Sequence, residues 1–471
     1  MASARDNCGV FAIYSQRPCV WDIFNGLDFL QHRGQEYCGI ATYDDHIHQV
    51  THHGRAGTSF TIQDLEYLRG NWGIGHVSLW ERQPMSWQSQ VGDISVAFSG
   101  NIINAEDLIR EMKSCGHAFY RGYHVEILAK IIMESKDILT GIEAISRRVR
   151  GAYSMVILAK EGVYGVRDPY GFRPLIIGRD KERLVCCSES RALQNMDMEV
   201  VRDVAPGETV LLNDNGVTSV LRLPSPRKAH CAFEWAYTAS IDSRIDGLYV
   251  QEARHRLGGA LARRDREEGN DRFDIVAPVP MSGIGHALGY HRASGIPYQE
   301  VFLYNRYADR SYTQSSQTAR EKMAKRKLSV LPFAVEGKRI VICDDSIVRG
   351  TQILTKVRDL KAAGAREVHV RIACPPPHVP LRLRRLHPFL RGAGSTPLPS
   401  QRRHQDDGGT PGHRGLDRRP DRRRLGPLQQ RRGLRGGPRH APDGSLSQVL
   451  GRRSPDGHDL KPFPFARRRG A

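Results

Sequence analysis

The chain has 471 residues, 39% of them hydrophobic, and a formal net charge of +19, which is apolar material for two ordinary domains and too much for one. The charge is concentrated at the end: residues 376–471 hold 22 Lys and Arg against 7 Asp, leaving only +4 on residues 1–375, so the main body does not read as a nucleic-acid-binding surface. No run of 18 apolar residues occurs and the first fifteen residues lack an apolar signal core, which argues against a membrane span and a secretory leader and for a cytoplasmic protein.

Residues 1–7, MASARDN, read as a short polar leader. From 8 to 222, short β-type runs recur at 10–14, 39–43, 94–98, 153–158, 175–178, 184–188 and 209–212, and residues 105–112 and 126–135 carry apolar positions at helical spacing. That pattern predicts layered sheets with helices outside. Residues 223–230, LPSPRKAH, contain two prolines and read as a linker. Beyond it, helices at 249–266, 285–294 and 351–363 alternate with continuously apolar strands at 273–280, 339–343 and 368–373, which predicts an α/β domain over 231–375 with a parallel sheet covered on both faces. The last 96 residues contain no Ile, Met, Trp, Tyr, Cys, Asn or Glu and are rich in Arg, Gly and Pro, so disorder is expected there. The nine cysteines form no regular framework and are expected to be reduced.

The strongest chemical signal is RIVICDDSIVRGTQ, residues 339–352. An apolar strand delivers Asp344 and Asp345, and Ser346, Ile347, Val348, Arg349, Gly350 and Thr351 then open a helix. Backbone N–H groups and two hydroxyls in such a turn converge on a phosphate, with the positive end of the helix behind them. Two carboxylates beside a phosphate need another partner, and sugar hydroxyls or a hard Mg²⁺ suit them. The loop therefore describes a site for a phosphorylated sugar.

This loop resembles that of the type I phosphoribosyltransferases, and IVICDDSIVRGT is close to the version in the amidophosphoribosyltransferase family. The likeness runs from Cys8 to about Pro377 through NCGVFAIYS, LQHRGQEYCGIAT, RDPYGFRPLIIG, VAPGETV, IDGLYVQEAR, GYHRASGIPY and NRYADRSYTQSSQTARE in order. It implies an N-terminal Ntn-hydrolase domain of four αββα layers followed by a type I phosphoribosyltransferase parallel-sheet domain. It also implies phosphoribosyl pyrophosphate (PRPP) and Mg²⁺ as partners, an amine displacing pyrophosphate from C1 to give phosphoribosylamine in purine synthesis, and a homo-oligomer. Residues 344–351 then hold the sugar and its 5′-phosphate, Ser282 in PVPMSG joins Asp344 and Asp345 at the pyrophosphate and metal, and Arg306, Tyr307 and Lys327 lie on a segment that closes over PRPP, with Lys327 as a solvated charge of the run KMAKRK the competing reading. Met281 stands where the family usually has an acidic residue.

In the same family Cys8 is the nucleophile of a glutaminase, exposed by removal of the leader so that its α-amine acts as base. Arg33 and Gly100 are then remnants of the glutamine site, and for Arg33 a buried arginine kept for packing and internal hydrogen bonds is the competing reading. Other parts depart from the family pattern. Ser78 replaces the arginine that holds the substrate α-carboxylate, Ser99 replaces the oxyanion-hole asparagine, His124 stands where an aspartate grips the α-amine, and the loop after Ser78 is short, running from Glu81 straight to Gln83-Pro84. Each lost charge-assisted bond costs about 1.5–3 kcal/mol, and one oxyanion donor is worth on the order of 10²–10³ in rate. Glutaminase activity is therefore expected to be absent or very weak, with free ammonia as the alternative nitrogen source to glutamine.

Some members of the family hold a [4Fe–4S] cluster with four cysteines. Cys231 aligns with the first ligand, but the second motif is missing after residues 375–377, and the set is incomplete. Codons allowed for Val379 to Arg385, read one base later, give Phe-Pro-Cys-Val-Tyr-Gly, the missing motif, so the tail reads as an out-of-frame translation; an Arg/Gly-rich nucleic-acid-binding tail is the competing reading. A non-catalytic PRPP-binding regulator on the same fold remains the alternative to an enzyme.

Overall fold

The computed structural model describes residues 8–305, 328–347 and 351–374, all within one compact unit. Two antiparallel sheets stack face to face in its N-terminal part. The first has seven strands in the order Glu199–Asp203, Ile176–Arg179, Arg183–Cys187, Cys8–Ser15, Trp72–Ser78, Tyr37–Tyr43 and Ile47–His53. The second has six, in the order Gly216–Arg222, Glu208–Asn213, Gly162–Arg167, Gly151–Ala159, Gly92–Ile102 and Met85–Ser89.

Strand alternation explains the layering, because successive side chains point to opposite faces. Along Cys8–Ser15, Val10 and Ala12 face the second sheet and meet Ala97, Val156, Leu158 and Val210. Phe11 and Ile13 face outward, under Ile23 and Leu27 of helix Val20–Phe29 and Leu193 of helix Ser190–Asn195. Ile94, Val96 and Phe98 on the far side of the second sheet are covered by Leu108, Leu128 and Ile142 from helices Ala105–Ser114, His124–Met133 and Ile138–Arg148. Both faces of both sheets are apolar, which gives the αββα order.

The C-terminal part is built on a parallel sheet, with Arg339–Asp344 between Ile275–Pro278 and Glu367–Ile372. One face carries Val276 and Val341 against Ala262 of helix Val250–Glu267 and Ala287 and Tyr290 of helix Ile284–Ser294. The other carries Ile275, Ile340 and Ile342 against Leu360 of helix Thr351–Ala362. A Cβ on Gly258 would lie 1.9 Å from the His286 carbonyl oxygen, and one on Gly289 2.1 Å from that of His255, so the first two helices touch backbone to backbone. Phe302–Tyr304 pairs antiparallel with Leu328–Val330, which brings together the two ends of the segment between them. No helix among the described residues is long and apolar enough to cross a membrane, and none of the nine cysteines is in a disulfide.

Candidate active sites

The central parallel strand ends on the predicted carboxylates. Ligands of parallel sheets bind beyond the carboxyl ends of the strands, and Asp344 is the last residue of Arg339–Asp344. Both carboxylates are buried, Asp344 being 7% and Asp345 8% exposed. Three groups hold them: the Ser282 hydroxyl donates to Asp344 Oδ1 at 3.0 Å, the Asp345 N–H donates to the same oxygen at 2.9 Å, and Ser346 Oγ donates to Asp345 Oδ1 at 2.7 Å. Lys356 Nζ stands 3.6 Å from Asp344 Oδ2. Burial, and then the neighbouring Asp344, push the Asp345 carboxyl up to about 6, the behaviour of two acids sharing one site. Ser282 is delivered by the turn after Pro278, which fits because Gly283 has no side chain: its Cβ would lie 2.1 Å from the Cys343 carbonyl oxygen. The strand Glu367–Ile372 continues the support, since the Ala373 and Cys374 N–H groups donate to the carbonyls of Asp344 and Asp345 at 3.0 and 2.8 Å.

Ser282, Asp344, Asp345 and Ser346 thus come together, with Ile347 exposed beside them. Thr351 begins the following helix. Val348, Arg349, Gly350, Arg306, Tyr307 and Lys327 lie outside the described residues, as do the leader and the tail from residue 375. Lys356 joins the site from just over one turn into the helix Thr351–Ala362, and that position behind the loop is the sequence signal that marks it.

The second site is at the start of Cys8–Ser15. Cys8 is 4% exposed and lines a cleft with His76, Ser78, Trp80, Glu81, Gln83, Phe98, Gly100 and His124. Burial pushes its thiol up, against the Ser99 hydroxyl, Arg173, the Gly100 N–H and Arg33, which pull it down. The Gly100 N–H therefore lies beside the thiol, while the Ser99 hydroxyl donates to the Cys8 carbonyl oxygen at 2.8 Å. His76 contacts the Phe98 carbonyl through Nε2 at 3.1 Å, and its Nδ1 is buried without a partner. Burial, partly opposed by that carbonyl, lowers its pKa to about 3, so the ring is neutral and does not supply a positive charge to the thiol.

Arg33 is buried as part of an ion cluster. Its Nε donates to the Cys8 carbonyl oxygen at 2.9 Å and its Nη atoms donate to Glu189 and to both oxygens of Glu234, the latter at 3.1 and 2.8 Å. Arg173 Nη1 donates to Glu234 at 2.8 Å, and His32 Nε2 lies 2.8 Å from Glu189. With four bonds to protein groups and no exposed side-chain surface, Arg33 ties the cysteine strand to Glu234, 201 residues further on. Sequence reading could not find this cluster, because Arg33 and Glu234 are 201 residues apart.

Cys231 is half-buried, and among the described residues no group of three Cys, His, Asp or Glu ligands gathers around it; the one such group is Asp44, Asp45, His46 and His48 on the hairpin after Tyr37–Tyr43. The described residues do not supply the ligand set of a four-cysteine cluster. Ser282, Asp344 and Asp345, by contrast, are all oxygen donors of the kind a hard divalent cation takes.

Fold and sites define the class: a glutamine amidotransferase-type double sheet joined to a phosphoribosyltransferase-type parallel sheet. Residues 77–195 match the family model for a glutamine amidotransferase domain. The chain is 39% identical over 387 residues to the amidophosphoribosyltransferase of Archaeoglobus fulgidus, covering 78% of this chain and 83% of that one. It is 36% identical over 385 residues to that of Bacillus subtilis, covering 79% and 80%. Among solved structures, glutamine PRPP amidotransferase from B. subtilis, complexed with ADP and GMP, superposes with a TM-score of 0.73 at 36% identity, covering 79% of this chain and 83% of that chain. The chain belongs to the amidophosphoribosyltransferase family, whose members are pentosyl-transferring enzymes of purine biosynthesis.

Proposed function

We propose that the chain transfers the phosphoribosyl group of PRPP to ammonia, releasing pyrophosphate and forming 5-phosphoribosylamine, the first step of de novo purine synthesis. The observation that carries this is the buried pair Asp344–Asp345 at the carboxyl end of the central parallel strand, held by Ser282 and Ser346. In the reaction the ammonia lone pair forms the new bond at C1, the bond to pyrophosphate breaks with its electrons going to the leaving oxygen, and the ammonium product loses a proton. The work left to the protein is positioning and charge neutralisation. Asp344 and Asp345 accept hydrogen bonds from the ribose hydroxyls or hold the Mg²⁺ together with Ser282; the metal supplies charge neutralisation at the pyrophosphate. Residues 346–351 take the 5′-phosphate, and Arg306, Tyr307 and Lys327 are assigned to the cover over PRPP. We assign residues 8–222 to the amidotransferase domain and 231–375 to the phosphoribosyltransferase domain, in the cytoplasm.

Glutamine is a poor nitrogen source in this reading. The cleft around Cys8 carries Ser78 and His124 where the family has an arginine and an aspartate for the substrate's charged groups, and Arg33 is bonded to two glutamates. Pyrophosphate release measured with PRPP, ammonium chloride and Mg²⁺ tests the main reaction. It should depend on all three and fall at least about 10²-fold in Asp345→Asn; no release above background under these conditions overturns it. Glutamate release from glutamine, abolished by Cys8→Ala, would overturn the assignment of ammonia.

A further inference from the structure

Among the side chains lining the cleft beside Cys8 is one buried carboxylate, Glu81. The Glu81 carboxylate lies at the N-terminus of helix His124–Met133, where it accepts from the N–H of His124 at 2.7 Å and of Val125 at 3.4 Å. Carboxylates are favoured there because the first N–H groups of a helix have no partner within it and carry partial positive charge. Two more bonds hold the residue in place. Gln83 Nε2 donates to Glu81 Oε2 at 2.9 Å, while Gln83 Oε1 accepts from the Phe98 N–H at 2.7 Å, so Gln83 bridges Glu81 to the strand Gly92–Ile102. Ser78 Oγ donates to the Glu81 carbonyl oxygen at 2.6 Å, and Ser78 is itself the residue opposite Cys8 in the sheet.

Glu81 is 6% exposed, and the space left free among the cleft residues is about 10 Å³. A single water needs at least ~10–15 Å³, and a free amino acid many times more. The short turn from Ser78 to Gln83 is what brings the carboxylate to this position.

We propose that Glu81 is a built-in occupant of the cleft, a carboxylate stopper that takes the helix N-terminus beside Cys8 and keeps amino-acid substrates from the thiol. This deepens the reading that the N-terminal domain does not use glutamine and rests on it: the residue exchanges remove the substrate's partners, and Glu81 fills the space that remains.

Alkylation of the full-length protein by iodoacetamide, resolved cysteine by cysteine by peptide mass spectrometry, tests the stopper. Cys115 is exposed and Cys186 and Cys187 are fully buried, so one chain contains its own open reference and its own unfolding control. Cys8 in the wild type should react at least about 100-fold more slowly than Cys115. Glu81→Ala should speed Cys8 at least about tenfold while Cys186 and Cys187 stay protected, and Glu81→Gln, which keeps the size but not the charge, should give a smaller increase. Should the alanine variant expose Cys186 and Cys187, the glutamine variant decides. A wild-type Cys8 as reactive as Cys115, or a Cys8 rate unchanged in both variants, overturns the stopper. That result is separable from glutamate release by the wild type, which tests the ammonia reading instead.

Discussion

Removing Arg33 should unsettle the protein strongly, because its side chain is a buried clamp between two acids. Its guanidinium has no exposed surface and meets Glu189 and Glu234, both also without exposed side-chain surface. In Arg33→Ala, Glu189 keeps His32 and the Ser243 hydroxyl at 2.7 Å, and Glu234 keeps Arg173, but the one cation that bonds to both acids is gone. Breaking a buried pair by deleting one partner costs about 3–5 kcal/mol, because the surviving charge has lost its compensation. At roughly 2–4 °C per kcal/mol for a domain of this size, the melting temperature should fall by roughly 10 °C. Burial raises the carboxyl of Glu234, but Arg33 and Arg173 outweigh it and hold it below the usual range; for Glu189 burial is likewise outweighed, by Arg33 and His32. A depressed carboxyl contributes stability in full above its unfolded pKa, about 4.3, and loses that contribution as pH falls below it. The gap between wild type and variant should therefore be widest near pH 7 and narrow at pH 4 and below. Thermal unfolding followed by circular dichroism across that range checks both numbers. A loss under about 1 kcal/mol at pH 7, or a gap that widens toward acid, would refute the clamp.

Asp345→Asn should stabilise the fold while destroying pyrophosphate release. A carboxyl raised to about 6 is ionised at neutral pH against its surroundings, an unfavourable contribution of up to about 3 kcal/mol that is complete above pH 6 and absent below about pH 4. Melting curves without metal at pH 7.5 and pH 4 should show the variant ahead only at the higher pH; equal melting at pH 7.5 contradicts the origin of the shift. All nine cysteines are unpaired, so the denatured protein, untreated with reductant, should titrate nine thiols with a disulfide reagent, whereas the folded protein should give Cys115 first; seven or fewer in denaturant would reveal a bridge.

The Asp344–Asp345 pair could be read from sequence because strand, acids, loop and helix follow one another within about a dozen positions, and each local preference agrees with the fold. The outer helices 105–112 and 126–135 were legible for the same reason, and appear as Ala105–Ser114 and His124–Met133. The strand Trp72–Ser78 was not legible. Its Gly75 lies under helix Val20–Phe29, where a Cβ would come within 2.6 Å of Ile23, so close packing requires the residue that erases the β signal. The same helix went unread: VWDIFNGLDF has little contrast between faces, and its inner side is fixed by a sheet assembled from distant segments. Glu81 could be noted only as the end of a shortened loop. Its role depends on a helix N-terminus 43 residues later, and no local pattern encodes that meeting.

The bare-backbone seam between helices Val250–Glu267 and Ile284–Ser294 bears on the contact between Ser282 and Asp344 in a way neither helix discloses alone. The second helix starts two residues after Ser282, so its seat against the first sets how far the Ser282 hydroxyl stands from Asp344. A methyl group inserted at either glycine would act as a shim, shifting the helix by an amount on the order of an ångström, when a positioned polar group tolerates about half that. The gauge of the contact between Ser282 and Asp344 is set by two side chains that are not there, at Gly258 and Gly289.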